Sequence, residues 1–283
     1  MDLADLEDQD LVDPLDRVDL VDLMAATSRV AIWSGRDYRL VSRMSSVTDH
    51  YENLLAPIYT WMAGGAEAAF ALGQQDLAAE LPRGRFAIDL GAGFGMHTVP
   101  LARAGWRVLA IDSSPVLLRQ LSESAEGLAV NVQCGELLQF TEFISPRETA
   151  DLIVCMGDTL THLPSHVDVA ALIGSVSANL APAGRFVATF RDYTRLPSGD
   201  KRFIPVRADE HRILTCFLEE FDGFVQVHDV LHEFAQGAWS TRVSSYRKLR
   251  LAPEAVREAF KAAGLRAIIE PGPRGMIKLV ATA

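Results

Sequence analysis

The most informative stretch of the chain reads Asp89-Leu90-Gly91-Ala92-Gly93-Phe94-Gly95. An apolar run precedes it and a helix-like run follows from Met96, which predicts a turn between a strand and a helix. Glycine lacks the Cβ atom that would keep a ligand away from the backbone, so such turns bind ligands closely. We expect the acid at the strand end, Asp89, to face the ligand and to favour a cationic amine over a pyrophosphate.

The glycine spacing differs from that of the dinucleotide-binding fingerprint. That fingerprint places its third glycine three residues after its second, and Met96 stands at that position here. Its first strand also usually lacks an acid at the position of Asp89. The pattern Asp-x-Gly-x-Gly-x-Gly instead resembles the first motif of the class I S-adenosylmethionine-dependent methyltransferases.

Three more strand ends follow in the order that this resemblance implies. A second strand ends at Asp112, 21 residues after Gly91, a spacing at which a strand-end carboxylate accepts the ribose hydroxyls. A third strand exits at Glu136, and in the resembled family an acid there often binds the adenine amino group. A fourth strand runs into Gly157. Open α/β sheets bind ligands at these carboxyl ends, although each acid taken alone suits a helix cap or a solvated loop equally well.

The resemblance implies that the cofactor is S-adenosylmethionine and that S-adenosylhomocysteine is its product. Residues at the four strand ends, together with two tyrosines from an N-terminal helix, are expected to bind it. These expected cofactor-binding residues are Tyr51, Tyr59, Asp89, Gly91, Ala92, Gly93, Gly95, Asp112, Ser113, Glu136, Leu137, Met156 and Gly157.

Periodicity and turn residues predict an α/β fold. Five parallel strands and a terminal hairpin match the Rossmann-like, seven-stranded sheet of the class I methyltransferases, whose last strand is antiparallel. Three long strand-like runs before the final helix, the first two joined by the hairpin signal Asp222-Gly223, predict an inserted antiparallel layer of three strands. The expected organisation is an acidic N-terminal segment and helix at 1–45 and a methyltransferase domain at 46–283, with lid helices at 46–82 and inserted strands at 205–251.

The segment before the glycine turn predicts helices. Asp49 is the expected helix start because Glu52 completes a capping-box pattern, and Pro57 should kink or split the helix. The aromatic side chains of this segment suit a buried core. Many small-molecule methyltransferases instead lay such a helix over the cofactor as a lid, with a tyrosine near the methionine end, and Tyr51 and Tyr59 are the candidates for that position.

Charge is distributed unevenly along the chain. The net charge is −10, and −8 of it falls on residues 1–24. The remainder is nearly neutral, so the basic surface that binds nucleic acid is not expected. The acidic segment suits either a solvated tail or a marginal helix that docks on a partner subunit, and a homodimer therefore stays open as one interpretation.

The composition is that of a cytoplasmic protein. No apolar run approaches the roughly 18 residues that span a bilayer, and the N-terminus lacks a basic-then-apolar signal pattern. The three cysteines are scattered and form no Cys-x-x-Cys pair, which argues against a disulfide framework and a metal site. We expect no membrane partner and no bound metal.

The segment after the fourth strand narrows the resemblance. Cys155-Met156-Gly157-Asp158-Thr159-Leu160-Thr161-His162-Leu163 is similar to the run Cys-Leu-Gly-Asn-Ser-x-x-His-Leu of glycine N-methyltransferases and their relatives. Phe190-Arg191-Asp192-Tyr193 resembles their His-Arg-Asn-Tyr, whose arginine binds the substrate carboxylate. The likeness covers roughly residues 50–195. Asp158 stands where the family has asparagine, which favours an amine or hydroxyl acceptor with a cationic or neutral headgroup.

The expected catalytic residues are Asp158, His162 and Arg191. Methyl transfer is an in-line displacement that needs a base only if the nucleophile arrives protonated. His162 either serves as that base or packs at a helix start under the sheet edge. Asp158 and Arg191 either contact the acceptor or pair with each other as a salt bridge.

The inserted strands carry further polar side chains. His228 and His232 share one strand face with His211 nearby, and a polar wall is favoured over a metal site because the spacing is not a recognised ligand pattern. Arg242, Tyr246 and Arg250 share one face of the last inserted strand and are expected to line the cavity.

The favoured function is transfer of a methyl group from S-adenosylmethionine to a nitrogen or oxygen of a small molecule. The sequence (Asn/Asp)-Pro-Pro-(Tyr/Phe), which marks amino methylation of adenine or glutamine, is missing after the fourth strand. Two alternatives remain. One is a nicotinamide-dependent oxidoreductase, for which Asp112 would serve equally well, and the other is a non-catalytic S-adenosylmethionine-binding module.

Overall fold

The secondary structure of the described residues follows the predicted order of strands. The computed structural model describes residues 46–81 and 85–283, so the predictions for residues 1–45 lie outside the described residues. The strands are β1 (Phe86–Leu90), β2 (Arg107–Asp112), β3 (Val130–Cys134), β4 (Ala150–Cys155), β5 (Leu180–Phe190), β6 (Phe203–Ala208), β7 (Arg212–Glu220), β8 (Phe224–Ala235), β9 (Ala238–Leu249), β10 (Arg266–Pro271) and β11 (Ile277–Thr282).

Seven of these strands form one sheet in the order β10-β11-β5-β4-β1-β2-β3. β1 pairs in parallel with β2 and β4, and β5 pairs in parallel with β4. β11 runs antiparallel to both β5 and β10. The predicted seven-stranded sheet with its last strand antiparallel is therefore confirmed, and the carboxyl ends of β1 to β4 meet at one edge.

The helices are short at the N-terminus and longer around the sheet. They are α1 (Val47–His50), α2 (Tyr59–Met62), α3 (Ala66–Asp76), α4 (Thr98–Arg103), α5 (Pro115–Ser124), α6 (His166–Asn179) and α7 (Pro253–Ala262). A π-helical turn, Tyr51–Leu55, and a 3₁₀ turn, Ala56–Ile58, join α1 to α2. The change of helix type at Ala56 confirms the split that Pro57 predicted, because proline cannot donate the backbone hydrogen bond of a continuous helix. None of the described helices is long and apolar enough to cross a membrane.

The start of α1 differs from the prediction. Ser46 is the N-cap, and its side chain accepts a hydrogen bond from the backbone N–H of Asp49 at 3.0 Å. The carboxylate of Asp49 in turn accepts a hydrogen bond from the backbone N–H of Ser46. The capping box therefore lies three residues earlier than expected. Glu52 is thereby free for another role, and its carboxylate accepts a hydrogen bond from the hydroxyl of Ser114.

The inserted sheet has four strands, in the order β6-β7-β8-β9, where three were predicted. The missed strand, β6, is exposed along its whole length and pairs only with β7. Pro205 and a register shift beside it interrupt the alternation by which a strand is recognised. Proline within a strand is tolerated at such an edge because its missing N–H faces away from the ladder.

The core lies on both faces of the seven-stranded sheet. β1 is buried at every position, as expected for a central parallel strand covered by helices. On one face, Phe186 of β5 stacks on Phe260 of α7 with ring centroids 4.9 Å apart. On the other face, Phe94 and Leu117 pack together with α3 and α5. Each such fully buried side chain contributes about 1.5–3 kcal/mol relative to exposure, and this core fixes the edge where the strand ends meet.

Candidate active site

A cleft with an empty volume of about 1310 Å³, open to solvent, lies along the carboxyl ends of β1 to β4. Its wall includes most of the residues that the sequence predicted for cofactor binding. Those predicted residues that line it are Tyr51, Tyr59, Gly91, Ala92, Gly93, Asp112, Ser113, Glu136, Leu137, Met156 and Gly157. Asp89 and Gly95 do not.

The glycine turn has the conformation that its sequence requires. Gly91 adopts φ +79°, and a Cβ atom there would lie 2.4 Å from the Cγ2 atom of Thr159. Only glycine fits such a position without strain. Gly95 serves another purpose, since a Cβ atom added there would lie 2.5 Å from the side chain of Leu121 in α5. Gly95 therefore allows α5 to pack closely against the turn.

Asp89 is buried rather than exposed to the cleft. Its side chain is 1% exposed, and its carboxylate accepts a hydrogen bond from the hydroxyl of Thr98 at 2.6 Å. Burial raises the pKa of this carboxyl. The expectation that Asp89 faces the ligand directly was therefore wrong. Its contact with Thr98 instead joins the end of β1 to the start of α4.

Asp112 lies on the cleft wall at the end of β2. One carboxylate oxygen accepts the backbone N–H of Gly93 at 2.8 Å, and the other accepts that of Ser114 at 2.8 Å. Burial raises the pKa of the carboxyl, and these backbone hydrogen bonds oppose the rise. Each oxygen keeps a further lone pair, so Asp112 is able to accept two hydroxyls of a ribose while it holds the glycine turn. Glu136 lies on the same wall.

Aromatic side chains form a cluster in the wall of the cleft. The ring of Tyr51 lies 5.9 Å from that of Tyr59 and 5.6 Å from that of His162, measured between centroids. His162 in turn meets Tyr246 of β9 edge to face at 5.5 Å. Burial raises the pKa of the Tyr51 and Tyr59 phenols, so both keep their protons at neutral pH and act as hydrogen-bond donors.

His162 has an unusual environment within this cluster. Its Nε2 atom is buried and has no hydrogen-bond partner in the protein. Burial, with the nearby ammonium of Lys248 acting in the same direction, lowers the pKa of the imidazole to about 3. The ring is therefore neutral at physiological pH. It is suited to orient a bound group through Nε2, and it is a weak base for removing a proton.

Comparison with known proteins agrees with this geometry. Residues 87–184 match the family described as "Methyltransferase domain", and they span β1 to the start of β5. Residues 87–184 are therefore similar to a methyltransferase domain, as the sequence predicted. This domain includes the glycine turn, Asp112 and Glu136.

The relatives of the methyltransferase domain match it over part of their length. The Ubiquinone biosynthesis O-methyltransferase of Paramagnetospirillum magneticum is 31% identical over 102 residues, which is 35% of this chain and 38% of the relative. That of Xylella fastidiosa strain 9a5c is 35% identical over 105 residues, 36% of this chain and 40% of the relative. The chain thus spans about two fifths of the length of these curated relatives.

Solved structures share the fold over most of the chain. The CcbJ methyltransferase of Streptomyces caelestis superposes with a TM-score of 0.70 at 19% identity, over 84% of this chain and 99% of that one. CalS10 of Micromonospora echinaspora, described as an amino pentose methyltransferase, superposes with a TM-score of 0.65 at 20% identity, over 82% and 99%. At this identity the likeness establishes the fold alone.

The methyltransferase fold accommodates S-adenosylmethionine at this cleft. Gly91 leaves room that a Cβ atom would fill, and the strand-end acids Asp112 and Glu136 provide acceptors for ribose hydroxyls and an adenine amino group. The aromatic rings of Tyr51 and Tyr59 offer faces that attract a positively charged sulfonium. The residues that line the cleft therefore fit the cofactor.

Asp158 does not line the cleft but belongs to a buried polar network. It adopts φ +74°, and its carboxylate accepts the backbone N–H of Arg191 at 2.8 Å and the hydroxyl of Tyr193 at 2.7 Å. Its counter-ion is Lys248 of β9. The side chain of Asp158 is 5% exposed and that of Lys248 is 9% exposed. Burial by itself raises the pKa of Asp158, but the ammonium of Lys248 and the hydrogen bonds outweigh it and hold the pKa below its usual value.

Arg191 is exposed at the end of β5. Its guanidinium donates to the backbone carbonyl of Arg274 at 3.5 Å and does not meet the carboxylate of Asp158. The structure thus brings neither Asp158 nor Arg191 to the cleft wall, and the alternative that their side chains form a salt bridge is not observed either, because Asp158 pairs with Lys248. Of the three predicted catalytic side chains, only His162 lines the cleft.

Sequence reasoning missed three buried polar residues of the inserted sheet and α1. Lys248 shares one face of β9 with Tyr246, which the strand period of two would have indicated. His50 is completely buried, and its ring contacts Asp229 at 2.9 Å through Nε2 and Ser244 at 2.8 Å through Nδ1. No local signal pointed to the His50–Asp229 contact, because the two residues are 179 positions apart.

The other predicted side chains of the insert have partners within it or on neighbouring segments, and none of the four lines the cleft. His228 contacts Glu219 at 3.0 Å, and His232 contacts Thr241 at 2.9 Å. Arg242 donates to the carbonyl of Asn53 at 3.0 Å, and Arg250 donates to backbone carbonyls of Tyr193 and Phe221. Among the described residues no three His, Cys, Asp or Glu side chains converge as a metal site.

Proposed function

We propose that this protein transfers the methyl group of S-adenosylmethionine to a nitrogen or oxygen atom of a small molecule. The observation that carries the proposal is the shared wall of the cleft. The glycine turn and Asp112 form one group of residues that line this cleft. Tyr51, Tyr59 and His162 form a second group that lines the same cleft. A cofactor held by the first group presents its sulfonium toward the second.

S-adenosylmethionine supplies an electrophilic methyl group, so the protein needs chiefly to align the acceptor and exclude water. Alignment of this kind is worth roughly 7–11 kcal/mol in the best cases. Tyr51 and Tyr59 stand beside the expected position of the sulfonium and the acceptor, and their protonated hydroxyls orient polar atoms there. His162 is the one predicted catalytic residue that we retain at the acceptor, where its neutral imidazole orients the bound group through Nε2.

The names of similar proteins support a small acceptor. The curated relatives are ubiquinone biosynthesis O-methyltransferases. One structural neighbour, KedS8, is described as a sugar N-methyltransferase, and MtfA as a glycopeptide N-methyltransferase. The predictions of a cytoplasmic location, of a possible homodimer and of no nucleic-acid partner accompany this proposal and rest on the sequence.

The proposal is tested by following S-adenosylhomocysteine production. The full-length protein is incubated with S-adenosylmethionine and a set of small amines, alcohols and phenols, and the product is quantified by mass spectrometry. Acceptor-dependent release of S-adenosylhomocysteine is expected, and it should be lost in the Gly91→Val variant because the side chain collides with Thr159. Cofactor binding without acceptor-dependent turnover in any case would favour a non-catalytic binding module instead.

A further inference from the structure

The charge of the cleft discriminates between classes of acceptor. Asp112 and Glu136 are its carboxylates, and no lysine or arginine lines it in the part of the chain that the structure describes. The cations whose charge reaches the cleft residues are paired, because Lys248 contacts Asp158 and Arg274 contacts Asp76. A carboxylate or phosphate near the methyl group would lose water without gaining a cationic partner among these residues, which is costly.

The aromatic side of the cleft suits a cation. Tyr51, Tyr59 and His162 line it with their rings in mutual contact. Ring faces attract an ammonium or a sulfonium through the electrostatics of the π-system, and the attraction grows when water is excluded. The imidazole of His162 is neutral and therefore does not repel such a charge.

Proton accounting favours nitrogen over oxygen. A hydroxyl acceptor must lose its proton as the new bond forms, which requires a base matched to neutral pH. The low pKa of His162, about 3, makes it a poor base, and the phenols of Tyr51 and Tyr59 stay protonated. The other histidine of the wall, His97, contacts the carboxylate of Asp76 through Nε2 at 3.1 Å. An amine in its neutral form already has the lone pair that attacks the methyl group.

We propose that the acceptor is an amine without an anionic group near the reacting centre, and that the methyl group is transferred to its nitrogen. This inference rests on the proposed function and names its substrate class. The nitrogen lone pair bonds to the methyl carbon while the carbon–sulfur bond breaks and its electron pair stays on sulfur. The products are neutral S-adenosylhomocysteine and an ammonium ion, which later releases a proton to water. The aromatic rings of Tyr51 and Tyr59 stabilise the positive charge that moves from sulfur to nitrogen.

The test uses matched acceptors with one skeleton and different functional groups. The full-length protein is incubated with S-adenosylmethionine carrying a ¹³C-labelled methyl group and with benzylamine, benzyl alcohol and phenylacetate, and in parallel with glucosamine and glucose. Carbon NMR distinguishes methyl groups on nitrogen from those on oxygen. We expect N-methyl products only.

Two outcomes contradict the amine proposal while leaving the cofactor site intact. One is O-methylation of an alcohol or methyl ester formation, and the other is no N-methyl product from protein that binds S-adenosylhomocysteine in calorimetry. Failure of that calorimetric binding would instead overturn the proposed function as a whole. A variant pair tests the aromatic wall: Tyr51→Leu should raise the KM for the amine about three- to thirtyfold more than Tyr51→Phe, which keeps the ring. Equal KM values for the two variants would contradict the role of the ring.

Discussion

At the scale of single residues, Asp112 connects the glycine turn to the cofactor side of the cleft. Its two oxygens hold the N–H groups of Gly93 and Ser114. We predict that Asp112→Asn weakens binding of S-adenosylhomocysteine about ten- to hundredfold, because charge-assisted hydrogen bonds are worth roughly 1.5–3 kcal/mol. Isothermal titration calorimetry measures the change. Glu142→Gln removes one charge at an exposed position outside the cleft and should leave the affinity unaltered; equal affinities for both variants would contradict the assignment of Asp112.

The buried pair Asp158–Lys248 makes a second prediction at this scale. Lys248→Met strands the Asp158 carboxylate in a buried position, which should destabilise the fold by about 3–5 kcal/mol at pH 7. Asp158→Asn in the Lys248→Met background should recover part of this loss, because the stranded charge is removed. Urea unfolding of the wild type and the two variants measures the free energies, and a double variant no more stable than Lys248→Met would argue against the pairing.

The same pair predicts the sign of a pH dependence. The pKa of Asp158 is held below its usual value in the folded protein, so the pair stabilises the fold above the unfolded pKa of about 4. This contribution is lost as pH falls through the folded pKa. The destabilisation caused by Lys248→Met should therefore be largest at pH 7 and shrink as the pH is lowered, because burial without Lys248 raises the pKa of Asp158 and protonation then removes the stranded charge. An unchanged difference in unfolding free energy between pH 7 and pH 3.5 would contradict this.

At the scale of elements, α3 is fitted against the glycine turn through Gly73. A Cβ atom at Gly73 would lie 1.9 Å from the carbonyl oxygen of Met96, whereas one at Gly174 in α6 would meet nothing within 4 Å. We predict that Gly73→Ala destabilises the fold by about 1–3 kcal/mol or more and weakens cofactor binding. Gly174→Ala should stabilise it by up to about 1 kcal/mol through helix propensity. Thermal unfolding of both variants measures this, and similar effects at both sites would refute the packing argument.

The segment from α1 to α2 makes polar contacts with helix α5 and with the inserted sheet. Glu52 accepts a hydrogen bond from Ser114 at the start of α5, and His50 contacts Asp229 of the inserted sheet. The segment also contributes Tyr51 and Tyr59 to the cleft, which agrees with its predicted position over the cofactor. Its predicted action as a lid that orders on cofactor binding stays a prediction.

Hydrogen exchange tests that action. We predict that S-adenosylhomocysteine slows amide exchange across residues 49–62 and that Glu52→Gln speeds it in the free protein, because the charge-assisted bond to Ser114 is weakened. Glu123→Gln, at an exposed position of α5, is the matched control and should exchange like the wild type. Exchange that is identical with and without the cofactor would show that the segment does not act as a lid.

At the scale of the whole molecule, a cofactor that binds only the folded state raises its stability. S-adenosylhomocysteine at a hundred times its Kd should add about 2.7 kcal/mol. For a domain of this size that corresponds to a rise in Tm of roughly 5–10 °C. A nicotinamide dinucleotide at the same concentration should give no rise, because Met96 occupies the third glycine position of its fingerprint. Differential scanning fluorimetry with each ligand measures the shifts, and a larger shift with the dinucleotide would reverse the assignment.

The sequence by itself determined the features that depend on residues close together along the chain. The glycine turn, the acid ending β2, the change of helix type at Pro57 and the hairpin at Asp222-Gly223 follow from residues a few positions apart. Backbone conformation and amphipathic period are local properties, and four strand ends in a known order were enough to predict the sheet. The edge strand β6 escaped because Pro205 breaks the period that reveals a strand.

Only the tertiary structure decided which buried charges meet. Asp158 was expected to face an acceptor or to pair with Arg191, yet its partner is Lys248, 90 residues away. Asp89 was expected to face the ligand, but its carboxylate accepts a hydrogen bond from Thr98 instead. The alternation of β9 indicated that Tyr246 and Lys248 share a face but not what covers that face. The Asp158–Lys248 pair forms only when the inserted sheet packs beside the strand ends. A buried charge is costly without a counter-ion, and the packing determines which counter-ion is close enough.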